Sequence, residues 1–216
     1  MAEPAARIVV WSDYVCPFCY LELPVLERLR DESAGRVSVE WRAFELRPEP
    51  VPTLDPEGAY LDRVWRQAVY PMARERGLAL QLPPVQPRSR KALEAAEHAR
   101  ERGRFDEMHA ALFRAFFEAG RDIGDVAVLE DVAAAVGLDR AALRADLAAG
   151  RHTVKVVADQ RRAAELGLGG VPALLISAAD GAGRPLLVSG AQPYQAVRAA
   201  VDRVLSSGAP SAPDDR

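Results

Sequence analysis

The chain has only two cysteines among its 216 residues, and they stand three positions apart in the segment Cys16-Pro17-Phe18-Cys19. Just before them, residues 8–11 form the apolar run Ile-Val-Val-Trp, which is typical of a short buried β-strand. Residues 20–30 place leucine and valine side chains at helical spacing, which predicts a helix. The cysteine pair should therefore lie in the first turn of a helix that directly follows a strand.

This position predicts a reactive pair. Residues three apart on a helix are neighbours, so their sulfurs can come close enough to form a disulfide. The first turn of a helix also presents unpaired N–H groups and the positive end of the helix dipole, which favour a negative charge. Because the thiolate is the reactive form of cysteine and such a site can lower a thiol pKa to roughly 3.5–7.5, the pattern indicates redox chemistry.

Two other uses of a cysteine pair fit the sequence less well. A closed zinc site needs four ligands, but the chain has no second cysteine pair, and His98, His109 and His152 share no ligand spacing. A static disulfide across three residues would close too small a loop to restrain the unfolded chain. We therefore predict no metal site, and we interpret His98 and His109 as surface or packing residues.

The composition argues against several classes of partner and location. The net charge of −3 disfavours a nucleic-acid or anionic-membrane surface. No apolar run approaches the roughly 18 residues that cross a bilayer. Residues 1–7 include Glu3 and lead into only four apolar residues, unlike a secretory signal. We expect a cytoplasmic protein, in which disulfides are usually transient and catalytic; the oligomeric state stays open.

The rest of the chain predicts a sheet interrupted by helices. Residues 37–44 alternate apolar and polar side chains, so we expect a second strand that pairs in parallel with the first. Four prolines within residues 46–56 indicate an extended loop, and a mostly helical block follows. We predict helices over residues 57–76, 89–102 and 104–119, and further helix N-caps at Asp125, Asp139 and Thr153, with Ser89 capping the second helix.

Sheet signals return near the end of the chain. Residues 173–176 and 185–189 are short apolar runs on either side of the turn sequence Asp-Gly-Ala-Gly, so we expect a β-hairpin. A last helix should begin at Pro193 or Tyr194 and continue to Leu205. The residues beyond it are polar and contain proline, and they are predicted to be a disordered tail.

The order of these parts resembles the thioredoxin superfamily. A helical block that splits the thioredoxin-like unit, together with the Cys-Pro-x-Cys form of the pair, resembles the DsbA family. Four further segments are similar to its cytoplasmic FrnE-like branch: Ser-Asp-Tyr-Val-Cys-Pro at 12–17, Phe-Glu-Leu-Arg-Pro-Glu at 44–49, Arg-Asp-Ile-Gly-Asp at 121–125 and Gly-Ala-Gln-Pro-Tyr at 190–194. The resemblance extends from about residue 8 to residue 205.

The resemblance implies the fold class and the domain organisation. The fold would be α/β and thioredoxin-like, a mixed sheet flanked by helices, with a large all-helical insertion. Residues 1–55 and 167–206 would form the discontinuous thioredoxin-like domain. Residues 56–166 would form the insertion, and residues 207–216 the disordered tail.

The resemblance also implies roles for individual residues. Cys16 would be the attacking and leaving thiol, and Cys19 the more buried resolving thiol. Val171 and Pro172 match the family's residue pair at a cis-proline that faces the disulfide and pairs with a substrate strand. From the residues alone, an ordinary trans proline that opens a strand fits position 172 equally well. The predicted substrate-binding residues are Val171, Pro172, Pro17 and Phe18.

Two positions depart from the family's pattern. A buried carboxylate often stands six residues before the first cysteine, and that position is Val10 here. The proton acceptor for Cys19 must then be another group, and Asp13, Glu22 and water all remain open. Phe18 replaces the histidine of the strong periplasmic oxidant and cannot donate a hydrogen bond to a thiolate. We therefore predict a less oxidising couple, since a stabilised reduced form is what makes a strong oxidant.

Three functions fit these observations. The first is a thiol–disulfide oxidoreductase or isomerase that forms a mixed disulfide, needs no metal or organic cofactor, and acts on protein or small-molecule thiols and disulfides. The second is a glutathione-dependent isomerase or transferase similar to the 2-hydroxychromene-2-carboxylate isomerases, with glutathione as co-substrate. The resemblance implies that these relatives lack the second cysteine, so Cys19 argues against it. The third is a non-enzymatic, chaperone-like binding protein.

Overall fold

The computed structural model describes residues 4–207. Residues 208–216, which make up most of the predicted disordered tail, lie outside the described residues, and Ser207 belongs to the last helix. None of the helices within residues 4–207 has the length and apolarity that a bilayer-spanning helix needs.

A mixed four-stranded sheet forms the centre of the fold. Its strands are β1 (Ala6–Ser12), β2 (Val37–Ala43), β3 (Ala173–Ala178) and β4 (Leu186–Ser189), in the spatial order β2-β1-β3-β4. β1 pairs in parallel with β2 and antiparallel with β3, and β3 pairs antiparallel with β4. The predicted parallel pairing of the first two strands and the predicted hairpin are both confirmed.

Helices cover both faces of β1, which is why its sequence is an unbroken apolar run instead of an alternating one. Ile8 and Val10 belong to the main core with helix α1 (Pro17–Glu32), whereas Val9 and Trp11 belong to a second core on the opposite face. The Trp11 indole N–H donates to the Asp159 carbonyl at 3.0 Å, which joins the strand to the second layer.

The helical block between β2 and β3 contains most of the helices. They are α2 (Ala59–Val64), α3 (Tyr70–Glu75), α4 (Arg90–Glu101), α5 (Phe105–Phe117), α6 (Val126–Ala135), α7 (Arg140–Ala148) and α8 (Thr153–Glu165), and the final helix α9 (Tyr194–Ser207) follows β4. The fold is thus α/β and thioredoxin-like with a helical insertion, as predicted. The division at residues 56 and 166 stays a prediction.

The first predicted helix of the insertion is not a regular α-helix throughout. A π-helical segment, Trp65–Val69, separates α2 from α3, and the Tyr70 N–H bonds to the Trp65 carbonyl five residues back. Pro71 follows at once; it has no N–H and cannot continue the regular hydrogen-bond ladder. The extra residue of the π-turn lies directly before this break, and such segments are frequent at functional sites.

Two of the four predicted helix caps are confirmed and two are wrong. The side chains of Asp125 and Asp139 accept backbone N–H groups of α6 and α7, as expected. Ser89 stands at the start of α4, but its side chain forms no cap and hydrogen-bonds Asp13. Thr153 is the first residue of α8, and its hydroxyl donates to Glu94 at 2.6 Å. In both cases the hydroxyl bonds to a buried carboxylate on another element instead of accepting an N–H group of its own helix.

Aromatic side chains of α5 join the insertion to α1 in one core. Phe113, Phe116 and Phe117 are buried, and the ring of Phe113 stacks on that of Tyr20 with centroids 5.2 Å apart. His109 lies in the same cluster, where its Nδ1 meets the Tyr14 hydroxyl at 2.8 Å. Burial lowers the pKa of His109 to about 3, so the ring is a neutral packing residue at physiological pH, as predicted.

Candidate active site

The cysteine pair occupies the start of α1. Cys16 is the N-cap residue, and its carbonyl accepts the N–H groups of Cys19 at 3.1 Å and Tyr20 at 3.4 Å. Pro17 is the first helical residue, where its missing N–H and fixed φ suit the helix. The first turn itself carries no acidic side chain, and the positive end of a helix dipole favours a negative charge at this position.

The two sulfurs have different surroundings. Cys16 is 4% exposed and lines a cavity, whereas Cys19 is 0% exposed and does not line that cavity. The two thiols are hydrogen-bonded to each other, and the Cys16 thiol also donates to the Val171 carbonyl at 3.4 Å. Of the two sulfurs, Cys16 is therefore the one beside the cavity.

The loop before β3 lies against the pair, as the resemblance implies. The Val171–Pro172 peptide bond is cis. Among the four predicted substrate-binding residues, Pro17, Phe18 and Val171 line the cavity beside Cys16. Pro172 is buried, does not line that cavity, and accepts the Gly190 N–H at 2.8 Å with its carbonyl. Three of the four residues thus share one cavity with the cysteine.

The Cys19 sulfur is surrounded by neutral groups. Burial is the main cause that raises its pKa well above the usual thiol range, and the neighbouring Cys16 sulfur raises it further. The Ser12 hydroxyl and the Asp13 N–H act in the opposite direction, because both stabilise the thiolate. Ser12 is buried, and its hydroxyl has no hydrogen-bond partner among the described residues, so it is free to donate to a Cys19 thiolate. Ser12 was not among the site residues predicted from the sequence; its one signal there is a hydroxyl at the end of an apolar strand.

Neither carboxyl proposed as a proton acceptor hydrogen-bonds the Cys19 sulfur in the described structure. Asp13 accepts the N–H groups of Leu46 at 2.7 Å and Val15 at 3.4 Å, and burial raises its pKa to about 6. Glu22 accepts the Gln192 N–H at 2.9 Å and faces Arg76 at 3.2 Å. Burial raises the pKa of Glu22 to about 7. Both carboxyls connect α1 and its preceding turn to other segments.

The cavity beside Cys16 has a volume of about 380 Å³, within the range of roughly 300–1,000 Å³ that small-molecule sites show. One wall is the start of α1 and the loop before β3, and the other belongs to the helical insertion and the loop before it. The second wall was not predicted from the sequence, and it contains Arg47, Leu54, Tyr60, Leu61, Val64, Trp65 and Phe117. Because most of these side chains are apolar, the cavity suits an apolar or aromatic group.

Two of the three histidines meet in the insertion despite their distance in sequence. His98 Nδ1 lies 2.7 Å from an Asp146 carboxylate oxygen, and His152 Nε2 lies 3.6 Å from the same oxygen. One potential ligand atom from each of the three residues falls within 4.8 Å of the others. Arg102 reaches that oxygen at 3.3 Å and supplies the positive charge that a metal would bring. We interpret the cluster as a polar link between α4, α7 and the start of α8 in which Arg102 and Asp146 form the ion pair.

Known proteins resemble this chain both in sequence and in structure. The chain is 37% identical to the uncharacterized protein YwbO of Bacillus subtilis over 145 residues, which cover 65% of this chain and 71% of that protein. A probable DsbA oxidoreductase from Streptomyces coelicolor has a similar crystal structure, with a TM-score of 0.79, 28% identity, and coverage of 96% of this chain and 93% of the other.

Two more distant structures share the fold. A 2-hydroxychromene-2-carboxylate isomerase superposes with a TM-score of 0.75 at 17% identity, covering 91% of this chain and 95% of the other. The cytosolic disulfide reductase DsbM of Pseudomonas aeruginosa, determined with GSH, superposes with a TM-score of 0.65 at 20% identity, covering 93% of this chain and 96% of the other.

The sequence profile of one family, described as DSBA-like thioredoxin domain, matches residues 7–202. The chain is a member of the family of DSBA-like thioredoxin domains.

Proposed function

We propose that this protein is a thiol–disulfide oxidoreductase in which Cys16 attacks and Cys19 resolves. The observation that carries the proposal is the difference between the two sulfurs of the first helical turn. Cys16 lines a cavity and contacts the Val171 carbonyl, whereas Cys19 is buried behind it within hydrogen-bonding reach. A substrate would then react with Cys16, and Cys19 would attack the resulting mixed disulfide and release the substrate.

The reaction balances as two exchanges. The Cys16 thiolate attacks one sulfur of a substrate disulfide, forms a mixed disulfide, and releases the other half of the substrate as a thiolate that takes up a proton. Cys19 gives up its proton and attacks the Cys16 sulfur, which releases the second half and leaves a Cys16–Cys19 disulfide. The two electrons that reduce the substrate come from the dithiol, and the reverse sequence oxidises a substrate dithiol.

Neutral groups would assist the second exchange. Cys19 must become a thiolate although burial raises its pKa. The Ser12 hydroxyl and the Asp13 N–H stabilise the negative charge as it forms, without adding a charge of their own. A small thiol would return the Cys16–Cys19 disulfide to the dithiol form. DsbM, which shares the fold, was determined with GSH, and this supports glutathione as a candidate for that co-substrate.

A trapping experiment tests the proposal. The Cys19→Ser variant, incubated with a disulfide such as oxidised glutathione, should accumulate one stable mixed disulfide on Cys16, detected by mass spectrometry of the intact protein and its peptides. The wild type should show the same adduct only transiently before Cys16–Cys19 forms. Cys16→Ser is the control and should form no adduct. A persistent adduct in the wild type, or none in Cys19→Ser, would show that the pair does not work in this order.

The similarity to a 2-hydroxychromene-2-carboxylate isomerase supports a second candidate, a glutathione-dependent isomerase that uses Cys16 alone. The apolar cavity beside Cys16 has room for a small aromatic substrate. This candidate predicts an isomerase activity that requires glutathione and survives the Cys19→Ser substitution. Loss of all turnover in that variant rejects the candidate, since an isomerase of this kind has no use for a resolving thiol.

A further inference from the structure

Arg47 is the only charged residue among the described residues that line the cavity beside Cys16. We propose that its guanidinium binds a carboxylate of the substrate, so that the protein acts on small disulfides or thiols that carry an anionic group next to an apolar or aromatic body. The inference rests on the proposed thiol–disulfide exchange and specifies which substrates are favoured.

The Arg47 side chain has no partner of its own. It is half-buried, and it forms no hydrogen bond or ion pair with any of residues 4–207. The neighbouring arginines are occupied: Arg90 pairs with Glu45, and Arg88 donates to the carbonyls of Arg47 and Val51. A guanidinium that has lost part of its hydration without gaining a carboxylate is a ready site for an anion, which it binds with two parallel hydrogen bonds.

The backbone that carries Arg47 is tied to the turn that carries Cys16. One Asp13 carboxylate oxygen accepts the Leu46 N–H at 2.7 Å, and the other accepts the Val15 N–H at 3.4 Å. From the other side, the Arg47 carbonyl accepts an Arg88 guanidinium N–H at 2.9 Å. These bonds fasten the Arg47 backbone to the turn that carries the sulfur, so the guanidinium starts from a fixed point on the cavity wall.

The rest of the cavity indicates the other half of the substrate. Phe18, Tyr60, Trp65 and Phe117 contribute aromatic rings to its wall, and Thr53 and Gln86 contribute neutral polar side chains. A volume of about 380 Å³ is typical of a small-molecule site. A small disulfide with a carboxylate near Arg47 and an apolar portion against the rings satisfies both features. A neutral protein strand would leave the guanidinium unpaired.

Two aromatic disulfides of opposite character test this inference. 5,5′-Dithiobis(2-nitrobenzoate) carries a carboxylate on each ring, whereas 4,4′-dithiodipyridine is neutral, and each releases a product that is followed by its absorbance when Cys16 attacks. The second-order rate of each reagent is measured with the Cys19→Ser protein and with the same protein carrying Arg47→Gln, Arg47→Lys or Arg74→Gln. Arg74 is exposed and outside the cavity wall, so its substitution changes net charge equally and controls for long-range attraction.

We expect Arg47→Gln to slow the anionic reagent about tenfold, as the loss of one charge-assisted pair implies, and to leave the neutral reagent unchanged. Arg47→Lys should retain part of the preference, and Arg74→Gln nearly all of it. The inference is overturned if the ratio of the anionic to the neutral rate in Arg47→Gln lies within twofold of the same ratio in Arg74→Gln. Equal slowing of both reagents also overturns it, because it assigns Arg47 a packing role. If neither reagent modifies Cys16, the proposed exchange itself fails.

Discussion

The carboxylate of Asp13 accepts the backbone N–H of Leu46 at 2.7 Å, although 33 positions separate the two residues. The bond joins the turn before Cys16 to the loop after β2, and Asp13 is fully buried where it does so. Because the same loop carries Arg47, one carboxylate joins the turn before the Cys16 sulfur to the opposite wall of the cavity. The turn before Cys16 thus depends on a hydrogen bond to a residue that is distant in sequence.

Replacement of Asp13 should therefore reduce stability. Asp13→Ala leaves the Leu46 and Val15 N–H groups without their acceptor, and we expect a loss of about 3 kcal/mol in the free energy of unfolding, measured by urea denaturation. Asp13→Asn, which keeps one carbonyl acceptor, should lose less. The control is Asp180→Ala, since Asp180 is exposed and accepts only the nearby Ala182 N–H. Similar losses for Asp13→Ala and Asp180→Ala would contradict this role.

Glu22 should make the protein less stable as the pH rises. Burial raises its pKa from 4.5 to about 7 in the folded state, so between these values the folded chain holds a proton that the unfolded chain releases. The free energy of unfolding relative to Glu22→Gln should therefore fall from pH 4.5 to pH 7, by up to about 3 kcal/mol, and level off above. A difference between wild type and Glu22→Gln that rises over this window would show that Arg76 outweighs burial.

Ser12 should affect the second exchange and leave the first alone. Ser12→Ala removes the hydroxyl that stabilises the Cys19 thiolate, and we expect the mixed disulfide with oxidised glutathione to resolve about fivefold more slowly. Rapid acid quenching followed by mass spectrometry measures both steps. Ser38→Ala is a matched control, because its hydroxyl donates to the Ala6 carbonyl on the same sheet. Faster loss of the intermediate in Ser12→Ala would mean that the hydroxyl stabilises the thiol form.

Phe18 should make the Cys16–Cys19 couple less oxidising. Its ring lines the cavity and cannot donate a hydrogen bond to the Cys16 thiolate, so Phe18→His should raise the reduction potential by about 30 mV, the equivalent of roughly 1.4 kcal/mol. Titration against glutathione buffers measures it, with Phe18→Leu as the control that keeps the residue apolar. A wild-type potential near the roughly −120 mV of the strong periplasmic oxidant would contradict the prediction.

The features that depend on near neighbours in the chain were predictable. The spacing of Cys16 and Cys19 requires only one helical turn, and Asp125 and Asp139 cap helices that begin at the next residue. The parallel pairing of β1 with β2 and the β3–β4 hairpin follow from apolar runs, turn residues and the handedness of crossovers. These signals are local, so one sequence is enough to locate them.

Which elements meet was decided only by the tertiary structure. Nothing in the sequence pattern around Arg47 or Trp65 indicates that both line the cavity beside Cys16. The hydroxyls of Ser89 and Thr153 likewise hydrogen-bond carboxylates on distant elements instead of capping their own helices. Hydrophobic periodicity states which face of an element is buried but not against what. The cysteine pair and its place at the start of a helix can therefore be predicted from the sequence, whereas the cavity beside Cys16 forms only when the insertion packs against α1.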